Sequence, residues 1–584
     1  MLNALVAAAE RFEHEGTLPP VATKAKVVKW VVRIDASSGA TLLGPYKAGD
    51  LRRIRSPDML RSGTKSPPFL LTDKARYALG VAQSGREQKD EEARREFVHL
   101  IRLAYEQVKD KDLAQILAFL EGSPRAQLGD KARSIEPEDL VAFQNDSGDF
   151  PCEREDIQQF WASHLANDPK ATETGICLVC GTDGSIVRTF PNSVVIMGQP
   201  CQITSFQQGA FRSFGKAQTT NAPICFSCAS RATTTIEFLR TEPRHRSTLV
   251  RVEKNGRPDP MQSQLAVFWL KESVQQIGEA GEIDVHAALA EPVKAAELTG
   301  APPPELPQLQ ALLRIPWTVQ SHATNLETNS FFLAVLSASK TRLVVREWLE
   351  VPLTHLRDHL GAYVQATRIC GPRGEEPRPF SIPSLLAAVN NTDPNGARGL
   401  LRTAYQGVAP PGALLNAALS QFGKPKYLVA VKEKEEDFQT VHLIAALLKL
   451  LLTHGKVDAE RMERLDMSRD TPAYLCGRVL GIVEEAQRRS ADTKINRTLV
   501  ERFYTIGTSS PATALAQLTM LAETAYLPKL RKAGNKGFAH LQGLLTDTMA
   551  LLDKSGGVPP TFTPTQRAEF ALGLYAQRAD FTKK

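Results

Sequence analysis

Two cysteine pairs, Cys177-Leu-Val-Cys180 and Cys225-Phe-Ser-Cys228, enclose 44 residues and organise the fold that we predict for this 584-residue chain. Each Cys-x-x-Cys pair forms a tight knuckle that brings two sulfurs to one point, and two knuckles can supply the four thiolates of a tetrahedral Zn²⁺ site. The spacing therefore predicts a structural zinc ion held by Cys177, Cys180, Cys225 and Cys228. Such an ion would close the intervening segment into a loop.

Other chemistries of paired cysteines stay open as alternatives. A four-thiolate site leaves no coordination position for water, which argues against catalytic zinc. Disulfides need an oxidising compartment, whereas the chain opens into an amphipathic helix and not a secretory signal. Thioredoxin-like redox chemistry uses one Cys-x-x-Cys at a helix start, so the second pair argues against it. The remaining cysteines are scattered and are interpreted as core residues: Cys152, Cys201, Cys370 and Cys476.

The enclosed segment includes Ser205-Phe-Gln-Gln-Gly-Ala-Phe-Arg-Ser-Phe-Gly-Lys-Ala-Gln-Thr-Thr-Asn-Ala-Pro223. It is polar, punctuated by glycine, and carries aromatic residues without the apolar periodicity of a helix or strand. We interpret it as a recognition loop that the zinc ion makes rigid, and not as a reaction centre.

The part of this loop from Phe206 to Pro223 resembles a block in the large subunit of the type I-C CRISPR effector complex, Cascade. Three further blocks agree with that family in matching order: Phe69-Leu-Leu-Thr-Asp73 with Tyr77 and Gly80, Ser509-Ser-Pro-Ala512, and Pro559-Pro-Thr-Phe-Thr-Pro-Thr-Gln566 with Phe570, Gly573, Tyr575 and Gln577. The similarity extends over nearly the whole chain, and four separated blocks are more specific than any one. The second cysteine pair is not expected in every member, so zinc is predicted from the cysteines alone.

Length and composition set bounds on the fold. A chain of 584 residues is too long for one core, and its 42% hydrophobic and 23% charged residues are those of an ordinary globular protein. The longest apolar run, residues 443–452, contains a lysine and is too short to span a bilayer, so we expect no membrane partner. A net charge of +7 fits a polyanionic partner without requiring one.

The N-terminal part mixes strands and helices. Residues 27–35 and 40–43 read as a β-hairpin. The following stretch is predicted to be an exposed cationic loop, because it combines turn formers with the basic residues Arg52, Arg53, Arg55, Arg61 and Lys65.

The remaining pattern predicts an α+β fold. We expect helices over 88–122, a second α+β region with a hairpin over 331–348, and a surface insertion or linker over 282–307 that is rich in alanine, proline and glutamate. After residue 380 the periodicity is helical, with segments around 382–391, 396–405, 411–421, 438–453, 472–489, 495–505, 511–527, 536–553 and 564–580. Ser510 before Pro511 predicts a capped helix start.

We therefore predict three regions. They are an N-terminal α+β DNA-recognition region (1–250) with the zinc knuckles, a second α+β region (251–380), and a C-terminal all-α bundle (381–584) that resembles a Cascade small subunit. Several C-terminal helices carry cations between their apolar positions, among them Arg488, Arg489, Lys494, Arg497, Arg502, Lys529, Arg531, Lys532 and Lys536. Basic helical faces suit a nucleic-acid backbone, although solvated faces remain an equal alternative for any one residue.

The resemblance implies a non-catalytic cytoplasmic subunit that inspects the motif flanking a DNA target, promotes guide-RNA pairing with that DNA (R-loop formation), and recruits a helicase-nuclease. The implied partners are the backbone, crRNA-processing and small subunits with their crRNA, target double-stranded DNA, and the helicase-nuclease. Amides suit base edges and cations suit phosphates. On this basis we assign base reading to Gln207, Gln208, Gln218 and Asn221, and phosphate contact to Arg212, Lys216, Lys74 and the Arg52 to Lys65 stretch.

No phosphate-binding loop, dinucleotide fingerprint, His-Glu-x-x-His or His-Asp metal pair occurs in the sequence, which favours a binding subunit over an enzyme. The rival interpretations are a zinc-dependent or redox enzyme and a free-standing DNA-binding protein. The resemblance also implies that the C-terminal helices are made separately by internal translation, with Met462 and Met467 as candidate starts.

Overall fold

The computed structural model describes most of the chain. The described residues are 1–583 except 36–38, 48–51, 60–66, 168–172, 192, 205, 207–209, 211–212, 217, 275–276, 278–281, 296–303, 316–325, 327, 392, 430–434, 457–458 and 493–494. These residues form two compact units. The first comprises Met1–Thr241 with Ala338–Val344, and the second comprises Glu242–Ser337 with Val345–Lys584. The three-region division stays a prediction.

The first unit is α+β. Its helices are α1 (Leu2–His14), α2 (Ala75–Ala78), α3 (Glu87–Val108), α4 (Lys111–Glu121), α5 (Pro124–Gln127), α6 (Glu155–Ala166) and α7 (Phe226–Thr241). Its strands are β1 (Thr23–Val28), β2 (Trp30–Ile34), β3 (Ala40–Leu43), β4 (Arg52–Pro57), β5 (Thr72–Lys74), β6 (Leu140–Gln144), β7 (Thr174–Ile176), β8 (Asp183–Ser185), β9 (Val194–Ile196) and β10 (Gln199–Cys201).

A mixed sheet of order β3-β2-β6-β5 forms the centre of the first unit. The β2–β3 hairpin confirms the predicted pairing of 27–35 with 40–43. The first of those segments is nevertheless two strands, because the backbone N–H of Lys29 turns to donate to the Leu140 carbonyl at 3.1 Å. Buried aromatic side chains fill the core between sheet and helices: Trp30, Phe97, Phe143 and Trp161.

The predicted cationic loop after residue 51 is wrong for its first part. Residues 52–57 form β4, which pairs antiparallel with β1 in a two-stranded ribbon. Ile54 is buried while Arg53 and Arg55 on either side are exposed, which is the alternation of a strand with one solvated face. A single apolar residue among arginines hid this period in the sequence. Arg61 and Lys65 lie outside the described residues.

The second unit begins with a four-stranded sheet and continues as a helical bundle. Its strands are β11 (Arg246–Val250), β12 (Glu253–Lys254), β13 (Arg257–Pro258), β14 (Gln264–Leu270), β15 (Ser330–Ser339) and β16 (Arg342–Pro352). Its helices are α8 (Val285–Ala290), α9 (Pro307–Arg314), α10 (Leu353–Thr367), α11 (Ile382–Ala388), α12 (Pro394–Gln406), α13 (Ala413–Phe422), α14 (Pro425–Val429), α15 (Glu435–Thr453), α16 (Pro472–Ser490), α17 (Leu499–Ser509), α18 (Pro511–Leu521), α19 (Leu527–Lys532), α20 (Phe538–Lys554) and α21 (Pro564–Thr582).

These elements confirm the predicted hairpin over 331–348 as β15 and β16, in a sheet of order β11-β14-β15-β16. They also confirm the succession of helices after residue 380. The α+β class with a helical C-terminal part is therefore correct. Within the described part of the chain, every helix is too short or too polar to cross a membrane.

The interpretation of residues 282–307 as a surface linker is wrong where the structure describes them. Val285 and Leu289 on α8 and Val293 after it are part of the hydrophobic core. The Glu291 carboxylate accepts the backbone N–H groups of Gln308 (3.2 Å) and Leu309 (2.8 Å) at the start of α9. Burial raises the pKa of Glu291 to about 7. Alanine and proline are small enough to pack here, so composition alone misled the prediction.

Helix starts in the bundle follow their capping residues. Thr498 and Thr563 each form a capping box, with Glu501 and Gln566 respectively. Helix α18 begins at Pro511 as predicted, but the Ser510 side chain makes no capping hydrogen bond. The helix start is thus supported by the fixed φ of proline rather than by the serine hydroxyl.

Helices α16 and α21 approach each other closely at two glycines. A Cβ on Gly477 would lie 2.0 Å from the Phe570 carbonyl oxygen, and a Cβ on Gly573 would lie 2.1 Å from that of Tyr474. Backbone contact of this kind is open only to glycine. The two positions therefore fix how α16 and α21 pack.

A buried lysine links α15 to α10. Lys449 is fully buried, and its Nζ donates to the carbonyls of Gln365 (2.7 Å) and Arg368 (2.6 Å) at the C-terminal end of α10. Burial lowers the pKa of Lys449 to about 7. Its amine satisfies carbonyls that the end of a helix leaves without partners.

One turn of π-helix, Ala522–Tyr526, separates α18 from α19, and the Leu527 N–H donates to the Ala522 carbonyl. Pro528 follows directly and has no N–H to continue a regular α-helix. The π-turn therefore accommodates a proline inside the helix.

Candidate metal centre and nucleic-acid interface

The four cysteines of the two pairs lie together, as the sequence predicts. Cys177 and Cys180 occupy the turn between β7 and β8, which pair antiparallel. Cys225 precedes α7 and Cys228 lies in its first turn. All four Sγ atoms lie within 4.8 Å of one another, and those of Cys180 and Cys225 are 3.8 Å apart.

The backbone around the cysteines has the hydrogen bonds of metal-binding knuckles. Cys177 Sγ accepts the N–H groups of Val179 (3.5 Å) and Cys225 (3.4 Å). Gly181 closes the first knuckle with φ +74°, a conformation that residues with a Cβ rarely adopt. Donors aimed at sulfur stabilise thiolates, and so does the positive end of α7.

The thiols differ in their tendency to ionise. A hydrogen bond with Thr182, whose Oγ1 lies 3.3 Å from Cys180 Sγ, lowers the pKa of Cys180 to about 6. Burial, reinforced by the neighbouring cysteines, raises the pKa of Cys228, and burial also raises that of Cys225. The cluster can hold four negative charges only if a cation balances them.

The geometry fits a four-thiolate zinc ion. Zinc–sulfur bonds of about 2.3 Å in a tetrahedron place sulfurs about 3.8 Å apart, the separation of Cys180 and Cys225. The other four cysteines are buried free thiols outside the cluster. Sequence spacing found all four candidate ligands but missed Thr182.

The recognition loop is described only in part. Gln207, Gln208 and Arg212 lie outside the described residues, as does the side chain of Gln218, whose backbone belongs to a short 3₁₀ helix, Gln218–Asn221. Lys216 is exposed. Their predicted contacts with DNA stay predictions.

Asn221 binds the loop's own backbone. Its Oδ1 accepts the N–H of Ser213 at 3.0 Å, and its Nδ2 donates to the Lys216 carbonyl at 3.2 Å. Lys216 N–H in turn donates to the Ser213 carbonyl at 2.9 Å, which closes a tight turn over residues 213–216. At the tip of this turn the Phe214 side chain is 99% exposed. Sequence reasoning did not single out Phe214, since only the backbone conformation reveals its position.

The β1–β4 ribbon presents the described part of the basic stretch. Arg52, Arg53 and Arg55 are all exposed, and the Arg52 guanidinium lies 5.6 Å from the centroid of the Tyr46 ring. Arg53 lies opposite Val27, and Arg55 lies opposite Ala25, in the antiparallel register. Lys74, at the end of β5, forms an ion pair with Glu138. Its charge is thus partly balanced within the protein.

The cations of the C-terminal helices differ in their partners. Arg488 and Arg489 both bind the carboxylate of Glu485, and Lys529 binds that of Asp492. Arg531, Lys532 and Lys536 are exposed and have no acidic partner among the residues that the structure describes. Lys494 lies outside the described residues.

Comparison with known families gives one match of nearly full length. The model of the family described as CRISPR-associated protein (Cas_Csd1) matches residues 5–582. No curated protein matches the sequence.

Proposed function

The chain belongs to the Cas_Csd1 family of CRISPR-associated proteins, and from this premise we propose that it is the large, non-catalytic subunit of a type I-C surveillance complex. In this role it recognises the motif flanking a target in double-stranded DNA, promotes R-loop formation by the guide RNA, and recruits the helicase-nuclease. The observation that carries the proposal is the family match over residues 5–582, which agrees with four sequence blocks in the same order.

The β1–β4 ribbon supports a role in DNA binding. Three exposed arginines on one short strand concentrate positive charge, and a two-stranded ribbon is narrow enough to lie against a DNA groove. A protein that leaves sequence reading to guide RNA needs many phosphate contacts and few base contacts. We assign phosphate contact to Arg52, Arg53 and Arg55, together with Arg61, Lys65, Arg212, Lys216 and Lys74, and base reading to Gln207, Gln208 and Gln218.

We also propose that the cysteine cluster holds a structural Zn²⁺. Cys177, Cys180, Cys225 and Cys228 would hold the ion, which would fix the β7–β8 turn against the start of α7 and so anchor both ends of the recognition loop. Four protein ligands leave no position for water, which supports a structural role over a catalytic one.

The C-terminal helices support a second product of the same reading frame. A fragment starting at Met462 or Met467 would contain α16 to α21, including the close pair α16 and α21. In the full chain, α21 also bonds to earlier segments: the Tyr575 hydroxyl donates to the Cys370 carbonyl at 2.8 Å, and Arg578 donates to that of Leu428 at 2.9 Å. A separate fragment would need another partner for that side of α21. Mass spectrometry of the expressed operon tests for either start.

Co-purification from the native operon tests the main proposal. We expect the tagged chain to recover crRNA and the other Cascade subunits, and this complex to bind target DNA without cutting it. The enzyme alternative predicts instead that the isolated chain cleaves DNA or exchanges disulfides. The free-standing alternative predicts specific duplex binding without RNA.

Salt dependence tests the ribbon. Changing Arg52, Arg53 and Arg55 together to alanine should lower target affinity and reduce the salt slope by up to about three, since each phosphate contact contributes close to one. Arg133→Ala is the matched control, because Arg133 is 85% exposed and pairs with Asp130. An unchanged slope in the triple variant would remove the ribbon from the interface.

A further inference from the structure

The Phe214 side chain lies almost entirely in solvent and is not part of a hydrophobic core. Its side chain is 99% exposed, which leaves a whole aromatic ring in water. Other exposed large apolar side chains in the described part of the chain retain more cover; Leu178, for example, is 66% exposed. An aromatic ring held fully in solvent is either incidental or available to a ligand.

The backbone at this position argues against an incidental aromatic residue. Phe214 has φ +50° and Gly215 has φ +74°, so both central residues of the turn are left-handed. Such a turn favours asparagine, aspartate or glycine at its first central position, and a bulky residue there is strained. A smaller residue at position 214 would adopt this conformation with less backbone strain.

Asn221 keeps the strained turn in one shape. Its amide accepts from Ser213 N–H and donates to the Lys216 carbonyl, and so joins both ends of the turn from outside it. The same segment is anchored at Thr219, which is buried and donates to the Val187 carbonyl. A ring on a rigid turn loses little conformational freedom when it binds.

We propose that residues 213–216 form a base-stacking element, in which Phe214 packs on the face of an unpaired nucleobase and Lys216 meets an adjacent phosphate. Asn221 is the positioning residue of this element rather than a base reader. A nucleotide offers both a flat aromatic face and a negative charge, which matches an exposed ring two residues from an exposed lysine. This inference rests on the proposed function, which supplies unpaired DNA beside the flanking motif.

Fluorescence of 2-aminopurine tests the stacking directly. The complete complex is titrated with target DNA in which 2-aminopurine replaces one base at a time, in and beside the flanking motif. We expect the wild-type chain to quench one position by stacking. Phe214→Ala should abolish that quenching and weaken binding roughly 5- to 150-fold, and Phe214→Trp should restore both. Tyr105→Ala, at an aromatic residue of α3 that is 37% exposed, should change neither.

The Asn221 variants separate positioning from base reading. Asn221→Ala should weaken quenching and affinity by the same factor for every flanking sequence, and Asn221→Asp, which keeps the acceptor for Ser213 N–H, should have a smaller effect. A change in discrimination between flanking sequences would make Asn221 a base reader and overturn this part.

Two results would overturn the stacking itself. One is quenching that persists in Phe214→Ala. The other is unchanged DNA binding with lost capture of the helicase-nuclease, which would make the turn a protein contact. If the wild-type chain fails to join a crRNA complex, the proposed function fails instead. The isolated full chain with single-stranded 2-aminopurine DNA then still tests stacking.

Discussion

The cysteine cluster and the α16–α21 pair hold their backbones together by opposite means. Around the cysteines the strands are three residues long, and four sulfurs from two segments that are distant in sequence lie together. In the helix pair, two 19-residue helices touch because glycines remove the side chains between them. The first arrangement would depend on the proposed zinc ion, whereas the second depends on the lack of side chains at the two glycines. They should therefore fail under different perturbations.

Metal removal should have the largest effect, and only on the cysteine region. A cross-link that closes a loop of this length contributes about 4 kcal/mol in the chain-entropy estimate. Chelation, or Cys228→Ser, should therefore abolish hydrogen-exchange protection of β7 and β8 and leave α16 and α21 protected. Cys370→Ala, at a buried thiol outside the cluster, should keep the metal. Absence of zinc from the purified protein would contradict the expectation.

Gly573→Val should disrupt the packing of α16 against α21 and leave the cysteine region intact. The new side chain would collide with the Tyr474 carbonyl, and overpacking of this kind costs about 3 kcal/mol. Urea unfolding followed by exchange in α16 and α21 measures the loss, which should leave zinc content unchanged. Gly543→Ala is the control: a Cβ on this exposed residue of α20 meets nothing within 4 Å, so it should stabilise the protein slightly.

Lys449→Met tests the buried contact between α15 and the end of α10 in the second unit. We expect a loss of about 2 kcal/mol, because two carbonyls at the end of α10 lose their donor. The pKa shift of Lys449 also predicts how folding stability changes with pH. Since the pKa of Lys449 falls from 10.5 to about 7 on folding, the unfolded chain binds more protons between these values. Stability should therefore rise with pH across that window in the wild type, and less in the variant. Equal slopes of stability against pH in the two proteins would show that the pKa of Lys449 is not lowered on folding.

Thr563→Ala should have the smallest effect, about 1 kcal/mol, by removing the capping box of α21. Ser510→Ala is its matched control, since Ser510 precedes Pro511 without capping the helix, and its substitution should change the melting temperature little. Equal losses in the two variants would show that the cap geometry is not what stabilises these helix starts.

How far the sequence predicts each region depends on what stabilises it. The helices after residue 380 follow apolar periodicity, and the cysteine cluster follows ligand spacing, so both could be predicted. Strand β4 could not, because its stability comes from backbone pairing with β1, which the side chains Arg53 and Arg55 do not signal. The packing of α8 and α9 also escaped, since small residues read equally well as linker or core.

Within the candidate site, identity could be predicted but conformation could not. Residue type suggested base reading for Asn221, and the structure adds that its side chain bonds to the backbone of Ser213 and Lys216 in the loop. The sequence showed aromatic residues in this loop but gave no reason to single out Phe214, because only the backbone shows its left-handed conformation at the tip of a turn. Positions where local preference and structure disagree are where function is most often found.

The π-turn over Ala522–Tyr526 acts as a rotational offset between two parts of one long helix. Each residue turns an α-helix by about 100°, so a single added residue changes the direction of every side chain that follows it in the helix. Lys529, Arg531 and Lys532 follow directly. Deleting one residue here would turn these charges toward another side of the bundle without removing any of them, and relatives that differ in length at this point should direct them differently.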